Sequence, residues 1–205
     1  PDSPFRKAWS EALCDDTKVE LQGVTAVNDP DIDAFCASSM MALSPWNYYQ
    51  GFSSWPDNVP MKPFLQPAKS KLLGAVHRGN GGGPHVFAIH LLIHLLEPSN
   101  APESYRWEAL APTEMLFGGS KGELVPAQGH LTHMPAHLFL RTGKYNDAVA
   151  TSTVSTDDDN ARYRSKCLNP YAYGHNLKMY VANARLAGRF GDALSHARKA
   201  ILPES

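Results

Sequence analysis

Hydrophobic residues recur at helical spacing from the start of the chain. Ser3-Pro4 is typical of a helix start, with proline at the first helical position, and the amphipathic pattern continues to about Leu13. Asp29-Pro30 opens a second helix, in which one face carries Ile32, Phe35, Cys36, Ser39, Met40 and Leu43. Ser44-Pro45 ends this helix, because the residue before a proline is disfavoured in the α conformation. Neither segment alternates as a half-buried strand would.

Helical patterns also dominate the rest of the chain. Eight further segments are predicted to be helical, at about residues 67–77, 84–97, 102–110, 134–141, 146–155, 157–167, 175–186 and 191–201. The segment 44–67 is rich in proline and aromatic residues and predicts an ordered loop, since a solvated linker would not carry so many large rings. Residues 78–83 contain four glycines, but no strand pattern precedes them and no Gly-Lys-Ser/Thr follows. They predict a loop before a helix rather than a phosphate cradle.

The second half of the chain contains an internal repeat. Residues 143–148 (GKYNDA) recur as residues 188–193 (GRFGDA), an offset of 45, and Gly129-His130 matches Gly174-His175 at the same offset. A glycine that ends one helix, an aromatic residue two positions later and an alanine in the next helix are typical of tetratricopeptide repeats. The sequence therefore predicts an all-α fold of stacked antiparallel helical hairpins, a tetratricopeptide-like α-solenoid with at least seven helices and no sheet.

Length favours one domain over residues 1–205. The chain begins at Pro1 rather than Met, so we expect a processed form or a fragment of a longer protein.

Composition and charge argue against several classes of protein. The formal net charge is −1, which gives no electrostatic signature of binding to nucleic acid or to an anionic membrane. The longest apolar stretch, Val86 to Leu96, has eleven residues interrupted by two histidines and is too short to span a bilayer. The chain has three cysteines, Cys14, Cys36 and Cys167, which allow at most one disulfide and form no Cys-x-x-Cys metal clip. Cysteine usage therefore does not indicate whether the protein resides in an oxidising or a reducing compartment.

Two pairs of histidines carry the candidate chemistry. His90-x3-His94-x2-Glu97 places two imidazoles and a carboxylate on one helical stripe, and His133-x3-His137 repeats the histidine spacing 43 residues later. We expect the two pairs to face each other across adjacent hairpins and to converge on one ion. Neutral imidazole binds divalent transition metals such as zinc, copper and iron, and nearby carboxylates orient such ligands. Glu97 is therefore the candidate general base, or a carboxylate that orients a ligand.

The remaining histidines have less definite roles. His130 and His175 are one period apart, and we expect them at the starts of hairpins, as further metal ligands or as hydrogen-bond donors to ligands. His77 and His196 are predicted to lie on the surface, and His85 is a candidate helix-start residue.

Several named chemistries do not fit these motifs. Leu91 stands where the zinc-protease motif His-Glu-x-x-His needs glutamate, and His94-x-x-Glu97 reverses the order used in di-iron bundles. The sequence also lacks a Gly-x-Ser-x-Gly elbow and a Cys-x-x-Cys-His haem site. If the metal is catalytic, metal-activated water or oxygen chemistry is expected.

Two other interpretations stay open. The histidines can form a buried hydrogen-bonded network without metal. The chain can also be an interaction scaffold that binds a protein partner on the concave face of its repeats. Trp46 and Tyr48 are predicted to be largely buried against the helix that carries His90 and His94, because large aromatic rings are normally buried away from water.

Five segments resemble a family of bacterial and algal tetratricopeptide-repeat proteins of undefined activity. They are residues 41–49 (MALSPWNYY), 88–97 (AIHLLIHLLE), 129–137 (GHLTHMPAH), 141–145 (RTGKY) and 173–177 (YGHNL). The resemblance implies a helical-repeat fold whose inner site contains His90, His94, Glu97, His133, His137 and His175, with Trp46, Asn47 and Tyr48 nearby. The chain departs from the family pattern at Lys178, where another histidine is expected, and in its Gly-rich segment 78–83.

Overall fold

The computed structural model describes residues 3–15, 20–21, 24–25, 29–50, 59–79, 83–99, 104–117, 124–125, 128–165 and 173–201. Nine α-helices lie in these residues: α1 (Pro4–Leu13), α2 (Pro30–Met41), α3 (Gln66–Val76), α4 (Val86–Leu96), α5 (Ser104–Phe117), α6 (Gly129–Arg141), α7 (Tyr145–Arg164), α8 (Tyr173–Leu186) and α9 (Phe190–Ile201). The predicted all-α fold class is confirmed. A minimal antiparallel pair, β1 (Glu20–Leu21) with β2 (Val24–Thr25), departs from the expectation of no sheet.

Contacts between the helices divide the chain into two compact units, Pro1–Pro112 and Thr113–Ser205. In the first unit, α2 packs against α1, α3 and α4, and α3 packs against α4. In the second unit, α7 lies against α6 and α8, and α8 lies against α9. Consecutive helices therefore pack side by side within each unit, as the hairpin prediction requires. The prediction of a single domain over 1–205 stays a prediction.

Local sequence explains the start of α2 and its attachment to the next helix. The Asp29 carboxylate accepts hydrogen bonds from the backbone N–H groups of Asp31 and Ile32, and Pro30 occupies the first helical position. On the buried side of α2, Asp33 forms ion pairs with Lys71 at 2.7 Å and with Arg78 at 2.6 Å. These contacts tie α2 to α3 and to the residues that follow it.

A disulfide joins Cys14, just after α1, to Cys36 in α2. The sequence allowed one bridge without indicating which cysteines form it. Ser10 is the one buried residue in α1, whose aromatic residues Phe5 and Trp9 are more than half exposed. The disulfide is therefore a main attachment of α1 to the first unit.

The two turns of the internal repeat have the same backbone structure. Gly143 and Gly188 adopt positive φ angles of 77° and 75°, a conformation that favours glycine at the end of a helix. In the first turn Lys144 N–H donates to the Phe139 carbonyl, and in the second Arg189 N–H donates to the Ala184 carbonyl. The offset of 45 residues therefore relates equivalent backbone positions in α6–α7 and in α8–α9.

Several predicted boundaries differ from the structure. The helices expected at 146–155 and 157–167 are one continuous helix, α7, up to Arg164. α6 begins at Gly129 rather than at Met134, and α5 continues past its predicted end at 110 to Phe117, with Pro112 in its interior. Residues 80–82 of the Gly-rich segment 78–83, and Cys167, lie outside the described residues.

The predicted burial of Trp46 is wrong, and two other side-chain predictions are confirmed. Trp46 is 64% exposed and adopts a positive φ of 60°, whereas Tyr48 is buried as expected. His196, predicted to lie on the surface, is half-buried, and its ring stacks on Tyr180 with the centroids 3.7 Å apart. His85 begins α4 as expected, and its Nδ1 accepts a hydrogen bond from the Ala88 N–H.

None of the helices in the described part of the chain is both long and apolar enough to cross a membrane.

Candidate metal centre

The second unit brings three predicted ligands together: His133, His137 and His175. His133 and His137 lie one turn apart on the buried face of α6, and His175 lies in the first turn of α8. Nε2 of His133 is 3.2 Å from Nε2 of His137 and 3.1 Å from Nε2 of His175. We refer to these three residues as the histidine triad.

The spacing of these nitrogens is that of ligands around one ion. Zinc in a tetrahedral site binds imidazole nitrogen at about 2.0–2.1 Å, which places any two ligand nitrogens about 3.3 Å apart. Two of the triad's separations are close to this value, and all three ligand atoms lie within 4.8 Å of one another. His175 is exposed while the other two are buried, so the triad borders solvent on the side of α8.

The surroundings of the triad favour uncharged imidazole. Burial, together with smaller contributions of charge repulsion from the neighbouring His137, His130 and His175, lowers the pKa of His133 to about 2. Burial also lowers the pKa of His130, with a smaller contribution from His137. Since a metal binds neutral imidazole, His133 is in its ligating form throughout the physiological pH range.

Backbone structure orients the central histidine of the triad. Nδ1 of His133 lies 3.3 Å from the Gly129 carbonyl oxygen, which accepts a hydrogen bond from the ring N–H and leaves Nε2 to face the other two histidines. Pro135 lies between His133 and His137, and a proline in a helix interior has no N–H to donate. The turn of α6 between His133 and His137 therefore contains a residue that is normally disfavoured inside a helix, and such exceptions often occur at functional sites.

A buried carboxylate, that of Asp159, contacts both helices that carry the triad. Asp159 of α7 accepts a hydrogen bond of 2.7 Å from Asn176, the residue after His175. Asp159 also approaches Gly129 so closely that a Cβ there would overlap its Oδ1. Burial raises the pKa of Asp159. Asp159 therefore connects the helix that carries His133 to the helix that carries His175.

His130, the third predicted ligand on α6, lies beside the triad. Its ring centroid is 4.9 Å from that of His133. The structure thus brings His130, His133, His137 and His175 together within the second unit.

His90 and His94 form a pair in the first unit. Their ring centroids lie 4.8 Å apart on α4, both side chains are half-buried, and the exposed ring of Trp46 meets His94 edge-on at 5.0 Å. Glu97 is half-buried at the C-terminal end of α4. Its role as a general base and the convergence of both histidine pairs on one ion stay predictions.

Sequence reasoning missed Asp159 and Asn176. Both are buried polar residues, with 2% and 0% of their surface exposed. The acidic run 157–159 predicts the start of a new helix, whereas in the structure it lies within α7 and Asp159 contacts the start of α6. The sequence feature that indicates this contact is the asparagine directly after His175, at the start of the next hairpin.

Comparisons with known proteins do not identify a family for this chain. No protein-family model matches the sequence, and no curated protein or solved structure is similar to it at a significant level.

Proposed function

We propose that this chain is a metal-binding helical protein in which His133, His137 and His175 hold one divalent transition ion through Nε2. The observation that carries the proposal is the approach of two imidazole nitrogens to the same Nε2, at 3.1 and 3.2 Å. Zinc, copper and iron all suit a set of neutral imidazole ligands.

A metal explains this arrangement better than a hydrogen-bonded network. The Gly129 carbonyl faces Nδ1 of His133, so the ring proton resides there and Nε2 offers a single lone pair. One lone pair accepts one good hydrogen bond, yet two Nε2 atoms lie within hydrogen-bond distance of it. Around an ion, each of the three nitrogens directs its own lone pair to a common centre, and no contact is left unsatisfied.

The ligand number favours a reactive ion over a purely structural one. Structural zinc sites usually have four protein ligands, whereas catalytic sites have three and keep one position for water or substrate. The triad supplies three nitrogens and borders solvent at His175. Three neutral ligands leave the full positive charge on the ion, which lowers the pKa of a bound water toward 7 in the case of zinc. We therefore propose metal-activated water as the chemistry of the site.

Zinc titration by calorimetry, together with elemental analysis of the purified protein, tests this proposal. We expect one tightly bound ion in the triad, with affinity falling by more than about 100-fold in His137→Ala, since changes outside the ligand set alone cost about 10–100-fold. His77→Ala is the matched control, because His77 is exposed and outside the triad. Unchanged affinity in His137→Ala would refute the triad as the site.

A double variant tests whether the pair on α4 contributes ligands. If the triad is sufficient, His90→Ala with His94→Ala keeps zinc affinity within about tenfold of the wild type. A loss as large as that of His137→Ala would instead favour the sequence-based expectation that both pairs bind one ion.

A further inference from the structure

A groove on the second unit is open along α8 and α9. It is lined by Leu177, Lys178, Val181, Ala182, Arg185 and Ala197. The same two helices expose three large apolar side chains: Leu186 by 48%, Phe190 by 67% and Leu194 by 54%. In stacked-hairpin proteins an uncovered outer face is normally polar, because solubility requires it. An apolar surface of this kind therefore indicates a binding site.

The internal repeat shows what covers the same surface one repeat earlier. Moving the lining residues back by 45 positions gives Thr132, His133, Ala136, His137, Leu140 and Ser152 on α6 and α7. Most of these residues are buried, and α8 lies over them: His175 contacts the histidine pair, and Asn183 donates to the Ser152 hydroxyl.

The exposed leucine of α9 gives the same comparison. Leu194 corresponds to Val149 of α7, which is completely buried against Tyr180 and Ala184 of α8. Leu194 is more than half exposed, because the described residues place no helix over it. The groove on α8 and α9 is thus equivalent to a surface that is filled by a helix in the preceding repeat.

We propose that this groove, which we call the α8–α9 seat, binds an amphipathic helix of a partner protein as the α6–α7 surface binds α8. Charge defines the partner further. Lys178 takes the place of His133, and Ala182 takes the place of His137, so the seat has lost the metal ligands and gained a cation. Arg185 adds a second cation to the lining, which contains no acidic residue. The partner helix should carry a carboxylate where α8 carries His175, and small and aromatic residues along the rest of its contact face.

A synthetic helix tests the proposal directly. The probe is a peptide of residues 173–186 in which His175→Glu supplies the carboxylate. A covalent link between its positions 178 and 182, which are on the outward face of α8, keeps it helical. In fluorescence anisotropy we expect saturable one-to-one binding to the chain, weakened at least about tenfold by Lys178→Glu and by Leu194→Asp in the chain. Tyr163→Ala, on the exposed end of α7, is the control and leaves binding unchanged.

A charge exchange separates the seat from non-specific adhesion. A peptide with His175→Lys should bind the Lys178→Glu chain better than it binds the wild type. Absence of binding, or equal binding to the wild type and the Lys178→Glu variant, would overturn the proposal. Self-association of the chain in analytical ultracentrifugation that Leu194→Asp abolishes would also overturn it, because the occupant would then be a second copy. The proposal does not depend on the metal centre.

Discussion

At Gly129 the absence of a side chain is a requirement of packing rather than of backbone conformation. The residue begins α6, where alanine is normally preferred over glycine. Asp159 occupies the space that a Cβ would need, and its carboxylate in turn accepts a hydrogen bond from Asn176. The positions of His133 and His175 therefore depend on one small residue that none of the metal-ligand patterns includes.

Gly129→Ala should destabilise the protein by about 1–3 kcal/mol, the usual range for overpacking. Gly174→Ala is the matched control, because Gly174 is its repeat equivalent and a Cβ there would meet nothing within 4 Å. That control should be neutral or stabilising by up to about 1 kcal/mol. Urea unfolding in the presence of chelator measures both values.

A double-variant cycle with Asp159→Ala tests the assigned cause. Removal of the carboxylate should abolish most of the cost of Gly129→Ala, since the overlap is then relieved. Fully additive effects would show that Asp159 is not the contact that excludes a side chain at position 129.

The lowered pKa of His133 predicts a pH dependence of stability in the metal-free protein. The ordinary pKa of histidine is about 6.5, and that of His133 in the folded chain is about 2. Between these values the unfolded chain binds more protons, so the free energy of unfolding falls as the pH falls below about 6.5. The contribution of one group is at most about 1.4 kcal/mol per pH unit, and it vanishes above 6.5.

Urea unfolding between pH 5 and 8 in chelator measures this slope. His133→Asn removes the titrating group from the buried position and should flatten the dependence below pH 6.5. The same slope in the wild type and the variant would contradict the assignment.

Helix boundaries show which elements were predictable from sequence. α1 and α2 begin at the predicted prolines, and α2 has a capping aspartate, so local signals alone determine these starts. α6 and α7 do not follow local rules. α6 continues through Pro135, and α7 continues through its acidic run because Asp159 is buried in contact with α6 and α8. Contacts distant in sequence decide these elements, and one sequence does not reveal them.

The disulfide is the element-scale feature that sequence could not assign. The three cysteines offered several pairings, and the approach of α1 to α2 selects Cys14 with Cys36. A bridge across a separation of 22 residues contributes about 3 kcal/mol in the loop-entropy model. Cys14→Ser with Cys36→Ser should therefore lower the stability of the first unit by about this amount.

Hydrogen exchange of α1 amides measures where the loss occurs. Protection in α1 should fall first, because its side chains are mostly exposed and contribute little burial. Cys167→Ser is the control and should have no effect on α1. Protection of α1 that survives the double variant would show that packing, rather than the bridge, holds this helix.

On the scale of the whole molecule, metal binding should stabilise one unit selectively. All three triad residues belong to Thr113–Ser205, so binding is linked to the folding of that unit. With free zinc at about 100 times Kd, the stabilisation is about 2.7 kcal/mol. Hydrogen exchange should slow by about 100-fold in α6, α7 and α8, with much smaller changes in α2 and α3. A gain in protection confined to α4 would instead place the ion at His90 and His94.

The all-α fold class was predictable because two features of the sequence indicate it directly. Hydrophobic residues recur at helical spacing within each segment, and the internal repeat has the pattern of a helical hairpin. The candidate centre was predictable only in part. The turn-to-turn pair on α6 follows from helix geometry, and His175 follows from the repeat. Trp46 is exposed and adopts a positive φ that sequence does not signal for tryptophan, so its predicted burial is wrong.

X-ray absorption at the zinc edge, on protein loaded with one equivalent of zinc, measures the ligands of the bound ion. We predict three imidazole nitrogens at about 2.0–2.1 Å with one further oxygen, and the loss of this signature in His137→Ala but not in His77→Ala. A shell of oxygen alone, or sulfur at about 2.3 Å, would contradict the triad as the metal site.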